Sequence, residues 1–162
     1  MAPRVTPVEL ADLDDLALVD GRYAHAMGDE VVVSRSSVHF YQRSGHSFTA
    51  RDGAAVLGFV LAHATWSGGR PVVRIERLAG DAAGLRPLVE AVVKSAYDAG
   101  VYDIVATVPD TDGLAKHALG SATFQPRAAT VLGRVLGSRG QRQASPPAGA
   151  DGLMAGPTGK GG

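Results

Sequence analysis

Residues 71–100 read PVVRIERLAGDAAGLRPLVEAVVKSAYDAG, and the change of period within this stretch decides the fold. Pro71 to Leu78 reads as a strand, and Ala79 to Gly84 is a run of small residues. Leu85, Leu88, Val89, Val92 and Ala96 then recur at helical spacing until Gly100 ends the helix. Val101 to Val108 follows and is apolar enough for another buried strand. Strand, helix and strand in that order form a crossover, and a crossover joins parallel neighbours. The stretch therefore predicts a parallel pair, placed at the centre of a mixed sheet.

Upstream, the period is two. Ser47 to Arg51 reads as a strand, Asp52-Gly53 as a hairpin turn and Ala55 to Thr65 as a long strand. Leu57, Phe59 and Leu61 fall on one face of that strand and Val56, Val60 and Ala62 on the other, the pattern of a central strand. Ser67-Gly68-Gly69 makes the next turn. Before these strands, Ser34 caps a helix from Arg35 to Ser44 that Gly45 ends. Thr6-Pro7-Val8-Glu9 has the form of a capping box and predicts a helix to about Val19, with Gly21 to Asp29 as loop. Downstream, Asp112 caps a short helix to Leu119, and strands are expected near Phe124 and at Thr130–Leu136. The expected fold is α/β (α+β with a mixed sheet), in the order ααβββαβαββ.

Composition changes at Gly137, which divides the chain into a domain over 1–137 and a tail over 138–162. The tail is rich in Gly, Pro and Ala, has only Leu153 and Met154 as bulky apolar residues, and is expected to be disordered. Its Gly156-Pro157-Thr158-Gly159-Lys160 run lacks the first glycine and the terminal Ser/Thr of a phosphate-binding loop.

Several function classes are excluded. Sixteen basic residues balance sixteen acidic ones, and no aromatic residues interleave the basic ones, so neither nucleic acid nor an anionic membrane is an expected partner. There is no cysteine, which removes disulfides, thiolate metal sites and thiol nucleophiles. His25, His39, His46, His63 and His117 lack a zinc-binding spacing, so no metal is expected. Asp12, Asp14 and Asp15 do not share one helix face. Ser44-Gly45-His46-Ser47 is no nucleophile elbow. No leader peptide and no apolar run of membrane-spanning length is visible, so a cytoplasmic protein is expected.

The element order resembles that of the GNAT superfamily of acyl-CoA N-acyltransferases. The similarity extends to Thr6–Asp20, Val56-Leu57-Gly58-Phe59-Val60, Ile75-Glu76-Arg77-Leu78 and Leu88–Gly100. Phe40–Phe48 and Val93–Gly100 resemble an uncharacterised bacterial branch of it. The resemblance implies acetyl-CoA as acyl donor and a small-molecule or peptide amine as acceptor, and it is compatible with a homodimer. It also implies that backbone amides of Leu78, Ala79, Gly80, Asp81, Ala82, Ala83 and Gly84 hold the thioester and pyrophosphate, with Glu76 as catalytic base. The residues themselves leave two readings of the 78–84 segment, an anion-binding helix start or a plain strand-to-helix turn, and Asp81 opposes an anion there. Glu76 reads either as a base or as the surface partner of Arg74, and His63 either as a second base or as a packed histidine. The tyrosine that often serves as the family's general acid is replaced by Lys116, while Tyr41 reads as packing. The alternative function is a GNAT-fold binding or dimerisation module that has lost acyl transfer.

Overall fold

The doubly apolar stretch beginning at Ala55 becomes the middle of the sheet, because only a strand covered on both faces can bury both of its side-chain sets. The computed structural model describes residues 2–136. The proposed tail, with its Gly156–Lys160 run, lies outside the described residues. The elements are β1 (Arg4–Pro7), a 3-10 turn (Leu10–Asp12), α1 (Leu13–Met27), α2 (Arg35–Ser44), β2 (Phe48–Asp52), β3 (Ala55–Ser67), β4 (Arg70–Gly80), α3 (Ala82–Asp98), β5 (Ile104–Ala106) and α4 (Gly113–Ser121). The five strands lie in the order β1-β2-β3-β4-β5, antiparallel except for the parallel pair β4–β5.

Two apolar layers cover the sheet. On one face Leu16 and Val19 of α1 and Val38 of α2 pack with Val8 on Phe59, Leu61 and Ala79. On the other, Leu85, Leu88, Val89 and Val92 of α3 and Ala115 and Leu119 of α4 pack on Val60, Ala62, Val73 and Ile75. The stripe read from 85 to 96 is thus the inner face of α3, where each fully buried Leu or Val contributes about 1.5–3 kcal/mol. The cap of α2 also forms as expected: Ser34 accepts from the Ser37 amide at 3.1 Å, and Ser37 Oγ accepts from the Ser34 amide at 2.8 Å.

Three expectations are corrected. First, Thr6-Pro7 does not open a helix; it ends the edge strand β1, a place that tolerates a proline because half of the edge's N–H groups need no strand partner. The working capping box is Glu9–Asp12, one turn later, and α1 then runs through Gly21 to Met27, where Gly28 (φ +64°) ends it. Gly21 does not stop the helix, because a single glycine costs it only about 1 kcal/mol and Leu16, Val19 and Ala24 are buried along it. Second, the parallel pair stands at the edge of the sheet among the described residues, and 124–136 contain no strand. Val131, Leu132, Val135 and Leu136 are exposed, so no burial offsets the ordering of a strand there. Third, β5 is shorter than Val101–Val108: Val101 closes the end of α3 by donating to the Ala96 carbonyl (2.9 Å), and the chain leaves the sheet after Ala106. Contacts divide the chain into a unit ending at Pro126, which holds every helix and strand described, and a second beginning at Arg127. No helix among the described residues is long and apolar enough to cross a membrane.

Candidate functional site

Glu76 is the extra residue of a β-bulge. On β3 and β4, Leu61 pairs with Arg77 and Ala62 with Ile75, which leaves Glu76 without a partner. Strict alternation would send Glu76 and Arg77 to opposite faces. The bulge instead turns both toward the side of α1 and α2, while Ile75 and Leu78 stay in the α3 core. Glu76 Oε1 lies 3.2 Å from His63 Nε2 and 3.9 Å from Arg74 Nε. The His63 ring is flanked by Phe40 and Tyr41 of α2, with centroids at 5.7 and 6.0 Å. Burial, and then the Glu76 charge, push the Tyr41 hydroxyl above its ordinary pKa, so Tyr41 stays protonated. The structure therefore joins Glu76, His63 and Tyr41, which the sequence presents separately. Lys116 lies on α4 and donates to the Asp110 carbonyl at 2.6 Å.

The segment from Leu78 to Gly84 is not a loop. Leu78, Ala79 and Gly80 finish β4, Asp81 alone forms the junction, and Ala82, Ala83 and Gly84 are the first turn of α3. The Asp81 side chain caps nothing, the Gly84 amide bonds back to the Asp81 carbonyl, and the amides of Ala82 and Ala83 make no hydrogen bond among the described residues. The glycines have a packing cause. Gly58 and Gly80 face each other across β3 and β4, and a Cβ on Gly80 would stand 2.3 Å from the Leu57 carbonyl oxygen. Gly80 also has φ +144°, a conformation side chains rarely adopt.

Pairing of β4 with β5 covers only Val73 to Ile75, so among the described residues β4 residues 76–80 have no strand beside them on that side. The resulting notch leads to the start of α3 and opens into a cavity of about 250 Å³ lined by α1 (Val19, Arg22, Tyr23), Gly80, Leu85 and Asp112. A polar network adjoins it through Tyr23 and Asp112. Arg77, 5 % exposed, contacts Asp20 (3.2 Å, outside hydrogen-bond alignment) and Asp29 (2.8 Å), and donates to the Glu30 carbonyl. Asp20 also accepts from the amides of Val32 and Val33 at 2.6 and 2.8 Å, which fixes the α1–α2 connection. The Arg77 guanidinium stands 4.9 Å from the centre of the Tyr23 ring, and Tyr23 donates to Asp112 Oδ2 at 2.7 Å. Asp112 meanwhile caps α4 through the Ala115 amide. Burial and the Asp112 carboxylate raise the Tyr23 pKa strongly. Backbone donors of the Asp29–Glu30 turn and Arg77 hold the Asp29 carboxyl below its ordinary value. Sequence reasoning misses this network, because Tyr23 and Asp112 lie 89 residues apart and nothing in their spacing links them.

Asp81 stands at the start of α3 before the unbonded amides of Ala82 and Ala83, and the Tyr23–Asp112 bond joins α1 to the start of α4. The five-stranded mixed sheet with its crossover helix is a GNAT-like fold. Two acetyltransferase structures share it: the ribosomal-protein-alanine N-acetyltransferase from Brucella melitensis biovar Abortus 2308 (TM-score 0.65, 12% identity, 83% of this chain and 100% of that one), and the aminoglycoside acetyltransferase meta-AAC0020 from an uncultured soil metagenomic sample (TM-score 0.64, 12% identity, 83% and 97%). At such identity the likeness concerns the fold alone. The chain belongs to the DUF1999 family, described as a protein of unknown function, which its residues 25–146 match. The wild-type protein TTHA1254 from Thermus thermophilus is 37% identical (TM-score 0.72, covering 84% of this chain and 99% of that one). No curated protein matches the sequence.

Proposed function

We propose that this chain is a GNAT-like N-acetyltransferase that moves an acetyl group from acetyl-CoA to a small-molecule or peptide amine. The observation that carries this reading is the bulge at Glu76, which sets a carboxylate on a histidine beside the strand edge that runs on to the start of α3. Bound acetyl-CoA would supply an activated thioester. The edge of β4 from Leu78 to Gly80 would align an extended chain, and the amides of Ala82 to Gly84 would face its phosphates. Glu76 would take the proton of the acceptor amine, directly or through water, with His63 orienting the carboxylate. The full chain incubated with acetyl-CoA and an amine panel should release free CoA. Glu76→Gln should lower that rate by about 10²–10⁴-fold while leaving acetyl-CoA binding unchanged. No CoA release across a broad panel would defeat the reading.

A second reading, a binding or dimerisation module without acyl transfer, is favoured by the Tyr23–Asp112 bond across the notch and by Asp81 at its mouth. The melting temperature with and without millimolar acetyl-CoA separates the two. A ligand at about 100 times its dissociation constant stabilises by about 2.7 kcal/mol, a shift of several degrees.

A further inference from the structure

A second cavity, of about 500 Å³, lies between α2 and the far half of β3, and its lining holds Arg43, His39 and His63. Ser36, His39, Phe40 and Arg43 recur at helical spacing and present one face of α2 to it, and His63 closes it from β3. Among the described residues neither His39 nor Arg43 has a hydrogen bond or ion pair. The carboxylate beside this group, Glu76, is already shared between His63 and Arg74. An unpaired arginine and an unpaired imidazole thus face a recess with no carboxylate in its lining, the chemistry that recognises an oxyanion, while His63 has its Nε2 on Glu76 and its Nδ1 3.4 Å from the Ala64 carbonyl oxygen.

We propose that this cavity is an oxyanion subsite, in which Arg43 and His39 hold the carboxylate or phosphate group of the amine acceptor beside the His63 ring. His63 links the two functions, since its Nε2 meets Glu76 while its ring lines the cavity. The acceptor is then an amine that also carries a carboxylate or a phosphate monoester. Assigning the anion to an acceptor rests on the acetyltransferase reading; the anion site itself does not.

The test uses the full chain without acetyl-CoA. The ring signals of the histidines are followed by NMR at a constant pH of about 6.5. One arm is titrated with inorganic phosphate and the other with succinate, each against sodium chloride of equal ionic strength. The signals of His39 and His63 should move saturably in at least one arm while those of His25 and His117 do not. Saturation with phosphate alone assigns a phosphate monoester, saturation with succinate alone assigns a carboxylate, and both together an oxyanion of either kind. Arg43→Gln, at an exposed position that leaves the core untouched, should weaken binding about tenfold or more, and His39→Gln should weaken it in the same direction. Shifts no larger than those in chloride, or shifts that survive Arg43→Gln, overturn the subsite and leave acyl transfer open. A protein that binds the anion but releases no CoA keeps the subsite and loses the acceptor assignment.

Discussion

Asp20 and Arg77 are buried charges held as an ion pair, and each makes its hydrogen bonds elsewhere, Asp20 to two backbone amides and Arg77 to Asp29 and the Glu30 carbonyl. Asp20→Ala removes the acceptor of two amides and leaves Arg77 with Asp29 and one carbonyl, so it should cost about 3–5 kcal/mol in urea unfolding. A loss under about 1 kcal/mol would show that water readily replaces the carboxylate. His46 is a second buried polar residue. Ser95 Oγ donates to the Val92 carbonyl, so His46 Nδ1, 2.9 Å from that oxygen, carries the proton between them. Burial, and then the charge of His63, lower its pKa below the ordinary 6.5. The unfolded chain therefore binds a proton before the folded one does. The stability that neutral His46 contributes is complete above pH 6.5 and is lost as the pH falls below it toward the folded-state value. Melting temperature against pH should fall less steeply below pH 6.5 for His46→Gln than for the wild type. Parallel curves would place the sensitivity elsewhere.

At the scale of elements, two glycines are under opposite constraints. Gly80 ends β4 at φ +144° with no room for a Cβ, so Gly80→Ala should destabilise by about 3 kcal/mol and splay β3 from β4 at the start of α3. Gly21 lies inside α1 with nothing within 4 Å of its Cβ position, and Gly21→Ala should stabilise by about 0.5–1 kcal/mol. Paired denaturation curves check both signs. The pair also explains why glycine misleads as a sequence signal here: Gly21 interrupts no helix, and Gly80 answers to strand packing whether or not a ligand approaches it.

For the whole molecule, the Tyr23–Asp112 bond joins α1 to α4 across the notch between β4 and the chain leaving β5. If an extended ligand must break it, Tyr23→Phe removes that cost in advance. A hydrogen bond to a charged group is worth about 1.5–3 kcal/mol, so acetyl-CoA affinity should rise about tenfold or more while the ligand-free melting temperature falls. Calorimetry on the two proteins reads both. Unchanged affinity would mean that the bond lies off the ligand's path.

Local order was legible in the sequence wherever one helix face or one strand pair decides it. The α3 stripe, the Ser34 cap, the antiparallel strands from Phe48 to Gly80 and the crossover all follow from periods of 3.6 and 2, because burial of a face selects the element. Glu76 is a candidate through the family resemblance, since the residues alone show a carboxylate on that strand and no more. What the tertiary structure decided concerns relations that no period encodes. The bulge rotates Glu76 and Arg77 onto one side, Asp20 and Asp112 find partners far along the chain, and His39, Arg43 and His63 meet at one cavity. Register and long-range pairing depend on the packing of the whole sheet, so the residues that share a site are fixed only when its layers close.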